Sequence, residues 1–201
     1  MDPLTLTAAI VSLSWKAFEI GKEFNDLRLK YKEADATIDA ICIEAEVVHV
    51  SLSRVRRLFE NGAPTRPKSD ELYMIFDTAV TGCDAVLSCL NEEVKKLKAS
   101  ASQSGTFGWK VRAKFIWKEE AMADLLNKLR GQRGAISLLF QSLQMESLSE
   151  IHHLLSDRAA DFNQYEQDTN HLREKYPDIK ISESVLGMQR KPFTRRHIEE
   201  L

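Results

Sequence analysis

The residues best suited to chemistry are few and poorly grouped. His152 and His153 are adjacent, so on a helix they point about 100° apart and make poor joint metal ligands. Cys42, Cys83 and Cys89 are odd in number, lack CxxC spacing and sit in apolar contexts. That pattern fits free buried thiols in a reducing compartment rather than a zinc site. GQRG at 131–134 lacks the Lys-Ser/Thr that completes a phosphate loop, and neither GxSxG nor HExxH occurs. Acidic residues are plentiful but follow solvent-face spacing. An enzyme needs a nucleophile, base or metal placed by a scaffold, and these residues offer none. The expectation is a non-enzyme with no catalytic residue, metal, cofactor or small-molecule substrate.

One cluster suits a different task. From Val94 through Lys118 there is no Asp or Glu, yet Lys95, Lys96, Lys98, Lys110, Arg112, Lys114 and Lys118 lie there, with Trp109, Phe115 and Trp117 interleaved. Such a patch suits anionic lipid, where each basic residue near the surface contributes about 1 kcal/mol and Trp prefers the interface. A solvated loop with charged helix ends is the plainer reading. Net charge is −2, from 28 Lys+Arg against 30 Asp+Glu, so no general field draws the chain to nucleic acid, and none is expected as a partner.

The opening MDPLTLTAAIVSLSW has no charge from Pro3 to Trp15. It is a poor signal peptide, because Asp2 sits where a basic region belongs. It is also a poor transmembrane span, because Lys16, Glu19, Lys22 and Glu23 interrupt it short of about 18 apolar residues. Asp2-Pro3 reads as a helix start. The spacing predicts a first helix over about 3–24, apolar nearly all round in its first half apart from Thr5, Thr7, Ser12 and Ser14. A helix of that kind is buried on most sides or destined for lipid.

The elements behind these residues read as helices throughout. The chain has 201 residues, 43% hydrophobic and 29% charged, with only 8 Gly and 5 Pro. Leu27, Tyr31, Ala34, Ile38, Ile41, Ala45, Val48, Leu52, Val55 and Phe59 follow steps of four and three, the seam of one long helix ending near Glu60. Ile43, Val47 and Val50 lie beside that seam, which predicts that more than one side is covered. A third helix starts at Ser69-Asp70-Glu71 and runs to a loop, ASASQSGTFG. A fourth begins near Trp109, with Gly131 and Gly134 marking either a kink or a close helix approach. A fifth spans Ser147 to Tyr176. The predicted fold is all-α: an antiparallel helical bundle of about five helices over 1–176, with a flexible tail at 177–201.

Three stretches together resemble a known family. MDPLTLTAAIVSL, GCDAVLSCL and FIWKEEAMADLLNKLRGQRGAISLLFQSLQ are similar to the fungal N-terminal domain of STAND proteins, the fungal NOD-like receptors, in the HeLo and HeLo-like group. The resemblance covers roughly residues 1–160. It implies a cytoplasmic helical-bundle effector of a fungal immune or incompatibility system. Its N-terminal helix, here Leu4, Leu6, Ile10, Val11, Leu13, Trp15 and Phe18, would target the plasma membrane and cause regulated cell death. The implied partners are anionic membrane lipids, with self-association or a receptor partner. The alternative is a non-lytic interaction or oligomerisation module, for which long helical seams are also suited. At rest the first helix is expected to pack on the bundle, and a switch would need two packings separated by only a few kcal/mol.

Overall fold

The apolar steps of three and four become six α-helices in a computed structural model, which describes residues 3–30, 36–60, 70–103, 119–145 and 148–187. They are α1 (Pro3–Lys30), α2 (Ala36–Glu60), α3 (Asp70–Gln103), α4 (Glu119–Gln144), α5 (Leu148–Asp157) and α6 (Ala159–Lys175). Among the described residues there is no strand. The fold is an all-α helical bundle, with six helices among the described residues where the sequence suggested about five.

Helix α3 is the axle. Phe76, Ala79, Cys83, Ala85, Val86, Leu87, Cys89, Leu90 and Val94 are all fully buried, which requires neighbours all round. It packs against α1, α4 and α6. Its stretch Tyr73–Lys96 is the one part of the described residues long and apolar enough to cross a membrane, and most of it is buried as the core of the bundle. The α2 seam is as expected: Ile38, Ile41, Ala45, Val48, Leu52, Val55 and Phe59 all face inward.

Several boundaries differ from the pattern-based reading. The first helix continues to Lys30, beyond 24. The seam expected as one helix over about 27–60 is shared by two, with Leu27 on α1 and Ile38 onward on α2. Periodicity does not sense reversal: α1 and α2 pack antiparallel, so both feed apolar side chains into the same core. Contacts fix the direction, since Ser14 meets His49 and Ser53 while Arg28 meets Asp39. Helix α3 runs through Gln103, into the stretch expected as loop. The start expected near Trp109 lies outside the described residues, as do Tyr31 and Ala34. The fifth predicted helix is two, broken at Arg158, whose φ of −108° and ψ of 10° leave the helical geometry for a single residue.

The segment expected as a flexible tail is anchored over 177–187. Leu186 is buried, and Ile179, Ile181 and Val185 pack against the core. The buried Asp77 carboxylate accepts hydrogen bonds from Ser184 Oγ (2.7 Å) and the Leu186 amide (3.1 Å), while Thr81 Oγ1 accepts one from the Val185 amide. A buried carboxylate that lost these donors would be left without the water that could replace them. Residues 188–201, including the basic end, lie outside the described residues.

Gly131 and Gly134 mark a close approach rather than a kink. The helix runs continuously through them, and a Cβ at Gly134 would meet Tyr165 Oη of α6 at 2.9 Å. Ion pairs tie the outer helices together. Glu44 of α2, itself buried, accepts from Arg133 (2.9 Å) and Arg130 (3.3 Å) of α4. Asp124 of α4 meets Lys175 of α6 at 2.9 Å and Lys128 of its own helix at 2.7 Å.

One core group is poorly served. Gln132 of α4 is buried against Gly82 of α3, and among the described residues neither its Nε2 nor its Oε1 has a hydrogen-bond partner. An unpaired buried amide costs about 1–3 kcal/mol. Gln132→Met, of similar length without the amide, is expected to raise the urea midpoint, with a gain of about 1 kcal/mol or more.

The Asp124 cluster gives an acid dependence. Burial pushes the Asp124 carboxyl up, but Lys128 and Lys175 outweigh it and hold the group below its ordinary value. A lowered folded pKa contributes stability above the unfolded carboxylate range, and that contribution is lost as pH falls through the folded value. Urea midpoints measured down to about pH 3 should fall less steeply for Asp124→Asn than for the native chain.

Candidate functional site: the outer face of the first helical hairpin

The seven residues singled out on the first helix do not form one surface. Leu6, Ile10 and Leu13 are buried in the core. Val11, Trp15 and Phe18 are 41%, 59% and 45% exposed. The side chain of Leu4 lies outside the described ones. The division follows helix geometry. Positions 6, 10, 13, 17, 20 and 24 line the inward side, whereas 11, 15 and 18, at steps of four and three, share the opposite one.

The outward stripe continues onto α2. The Trp15 and Phe18 rings lie 5.6 Å apart, and Phe18 lies 5.5 Å from the His49 ring. Next to His49, Val50 is 42% exposed, and Ile43, two turns earlier, is 61% exposed. This corrects the expectation that Ile43, Val47 and Val50 mark a second covered side. Among the described residues α2 packs chiefly against α1 and α4, which leaves Ile43 and Val50 exposed.

Beneath the stripe, polar groups staple the two helices. Ser14 Oγ lies 3.0 Å from His49 Nδ1 and 3.1 Å from Ser53 Oγ. The pair is not a nucleophile and base. His49 Nδ1 is 2.8 Å from the Ser14 carbonyl oxygen, an acceptor only, so Nδ1 carries the proton and donates it there. The hydroxyl then donates to Ser53 Oγ or the His49 carbonyl. On the other flank, the only charge between Pro3 and Phe18 is turned inward: Lys16 Nζ meets Asp84 Oδ1 at 2.6 Å and Ser88 Oγ at 2.7 Å on α3.

The strength with which α1 is held decides what it can do. Leu6, Ile10, Leu13, Ile20, Phe24 and Leu27 are all buried. Each such side chain contributes roughly 1.5–3 kcal/mol, so lifting α1 away forfeits on the order of 10 kcal/mol. Whole domains are stable by about 5–15 kcal/mol. Burial of these side chains thus opposes release of α1 with an energy comparable to the stability of a whole domain.

The described lysines of the basic and aromatic patch are each paired with a carboxylate, two from the preceding turn and one from another helix. Lys95 and Lys96 meet Glu92 (4.0 Å) and Glu93 (3.1 Å) one turn back, and Lys98 meets Glu23 of α1 at 2.8 Å. Lys96 also sits over the Tyr176 ring. Trp109, Lys110, Arg112, Lys114, Trp117 and Lys118 lie outside the described residues. His153 pairs with Asp157 at the surface. The cysteines are free; burial pushes the Cys83 and Cys89 thiols up to about 12, so neither is a thiolate near neutrality. Among the described residues no group of three His, Cys, Asp or Glu is placed to hold a metal ion.

Val50 and Ile43 of α2, and Leu29 of α1, are exposed apolar residues that sequence reasoning missed. The spacing of Val50 and Ile43 beside the seam was visible, but whether a flanking helix covers them is not a property of the sequence pattern. No family model matches this chain, and neither the curated proteins nor the solved structures contain a match.

The two faces of α1 should separate in a stability measurement. Leu13→Ala is expected to cost about 2–5 kcal/mol, through lost burial and the cavity left behind. Trp15→Ala is expected to change stability by about 0.5 kcal/mol or less. Urea unfolding of the two variants measures the contrast.

Proposed function

We propose that this chain is a membrane-targeting effector domain of a fungal immune or incompatibility system, causing regulated cell death when its N-terminal helix engages anionic lipid of the plasma membrane. The observation that carries the reading is the Val11–Trp15–Phe18 stripe, which stands open to water on a helix with no outward charge before Glu19. Large apolar side chains gathered on one exposed face mark a surface meant for a membrane or a protein. A Trp favours the first, since its amphipathic ring prefers the membrane interface. The all-α bundle and the resemblance of three stretches to the N-terminal domains of fungal STAND proteins support the same reading. It assigns no enzymatic step, no cofactor and no nucleic acid. The domain is cytoplasmic with conditional relocation to the plasma membrane, and self-association or a receptor partner accompanies its action.

The test is dye release from vesicles containing phosphatidylserine, comparing the native chain with Trp15→Glu/Phe18→Glu. Both positions are exposed, so the variant keeps the bundle, which circular dichroism verifies. A charge at Leu13 would instead break the core. Leakage by the native chain and loss of leakage in the variant are expected. Equal leakage by both would remove α1 as the agent. Lipid-independent self-association in sedimentation, without leakage, would favour the interaction module.

A further inference from the structure

Resting on that membrane reading, we infer that the domain binds the bilayer with α1 still seated in the bundle, and that α2 supplies half of the lipid-facing surface through Val50, Arg54 and Arg57. Three observations carry this. The inward side of α1 is committed to the core, so its apolar side chains are not available to lipid while the bundle stands. The outward apolar groups come from both helices: Trp15 stacks near Phe18, Phe18 lies against His49, and Val50 is its neighbour. Ser14 faces both His49 and Ser53, which sets Val11 and Trp15 opposite the turn of α2 that runs from Val50 to Arg54.

The third observation is charge, and it selects the occupant. Between Val47 and Phe59, α2 carries Arg54, Arg56 and Arg57 and no carboxylate. Arg56 pairs with Glu60 at 3.3 Å. Arg54 and Arg57 are exposed and make no ion pair among the described residues. The facing part of α1 has Lys16 alone, already held by Asp84. Further along the hairpin the exposed charges are mixed, Glu19, Asp26 and Glu46 against Lys22 and Arg28, the last paired with Asp39. The end built from the start of α1 and the close of α2 is thus aromatic and carries an excess of positive charge, which the other end, where acids and bases are mixed, does not. An anionic lipid surface fits the first end, so the hairpin lies in the interface on its basic end.

A covalent clamp separates docking in place from helix release. A Cβ at Gly21 would lie 3.5 Å from the Ala45 Cβ, within the range a disulfide spans. Gly21→Cys/Ala45→Cys, in a chain with Cys42→Ser, pins α1 to α2 when oxidised. The readout is flotation with phosphatidylcholine vesicles with and without phosphatidylserine. Oxidised and reduced forms are expected to bind the anionic vesicles equally. Binding lost on oxidation and restored by dithiothreitol would overturn the inference while leaving the membrane reading intact. Absence of binding in the native chain and in both forms of the clamp would overturn both. Arg54→Glu/Arg57→Glu, at exposed positions, keeps the test alive if the clamped chain misfolds. Its affinity for anionic vesicles is expected to fall by about tenfold or more, as removal of two basic groups from such a surface predicts. Unchanged affinity would remove α2 from the interface.

Discussion

Between Ile75 and Val94, α3 hides nearly every side chain from water on all sides, and no residue in that span is exposed. A helix of this kind cannot stand at a surface, so the chain must surround it. Helices α1, α4 and α6 do so directly, and α2 closes the gap between α1 and α4. The constraint also explains why polar side chains on α3 are so fully paired. Asp77, Thr81, Asp84 and Ser88 fall at steps of four, three and four along one line of the helix. The first two receive the segment around 184–186, and the last two receive Lys16. Both ends of the described chain are therefore fastened to one polar stripe of the central helix.

The consequence for α1 is a division of labour between its faces. Its inner side is as much core as any part of α3, and its outer side carries large apolar groups that the bundle does not use. A helix apolar nearly all round satisfies both demands with one sequence. The Ser14 hydroxyl helps here. It occupies a buried position against α2, where a charge would have cost far more, and finds three polar neighbours there.

The outermost interactions are less committed. Arg28–Asp39, Lys98–Glu23 and Arg56–Glu60 are ion pairs with at least one partner well exposed. Pairs of that sort contribute about 0–1 kcal/mol. What holds the hairpin is apolar burial and the staple, and what the surface charges supply is the direction of its field.

Much of the fold was legible in the sequence because apolar periodicity is a local record of burial. The inward positions of α2, the start of α3 and the all-helical class follow from it. The paired lysines show where local reading ends. Lys95, Lys96 and Lys98 look unbalanced over an acid-free stretch, yet one turn of helix and one neighbouring helix bring Glu92, Glu93 and Glu23 to them. The hairpin shows it again. The seam from Leu27 to Phe59 keeps its phase across a reversal of direction, because both helices face the same core. Sequence alone determined which residues prefer to leave water. Only the tertiary structure decided which of them succeed, since α2 has more apolar sides than neighbours. Val11, Trp15, Phe18, Ile43 and Val50 remain outside because cover depends on which helices pack beside them, and that is a property of the assembled bundle.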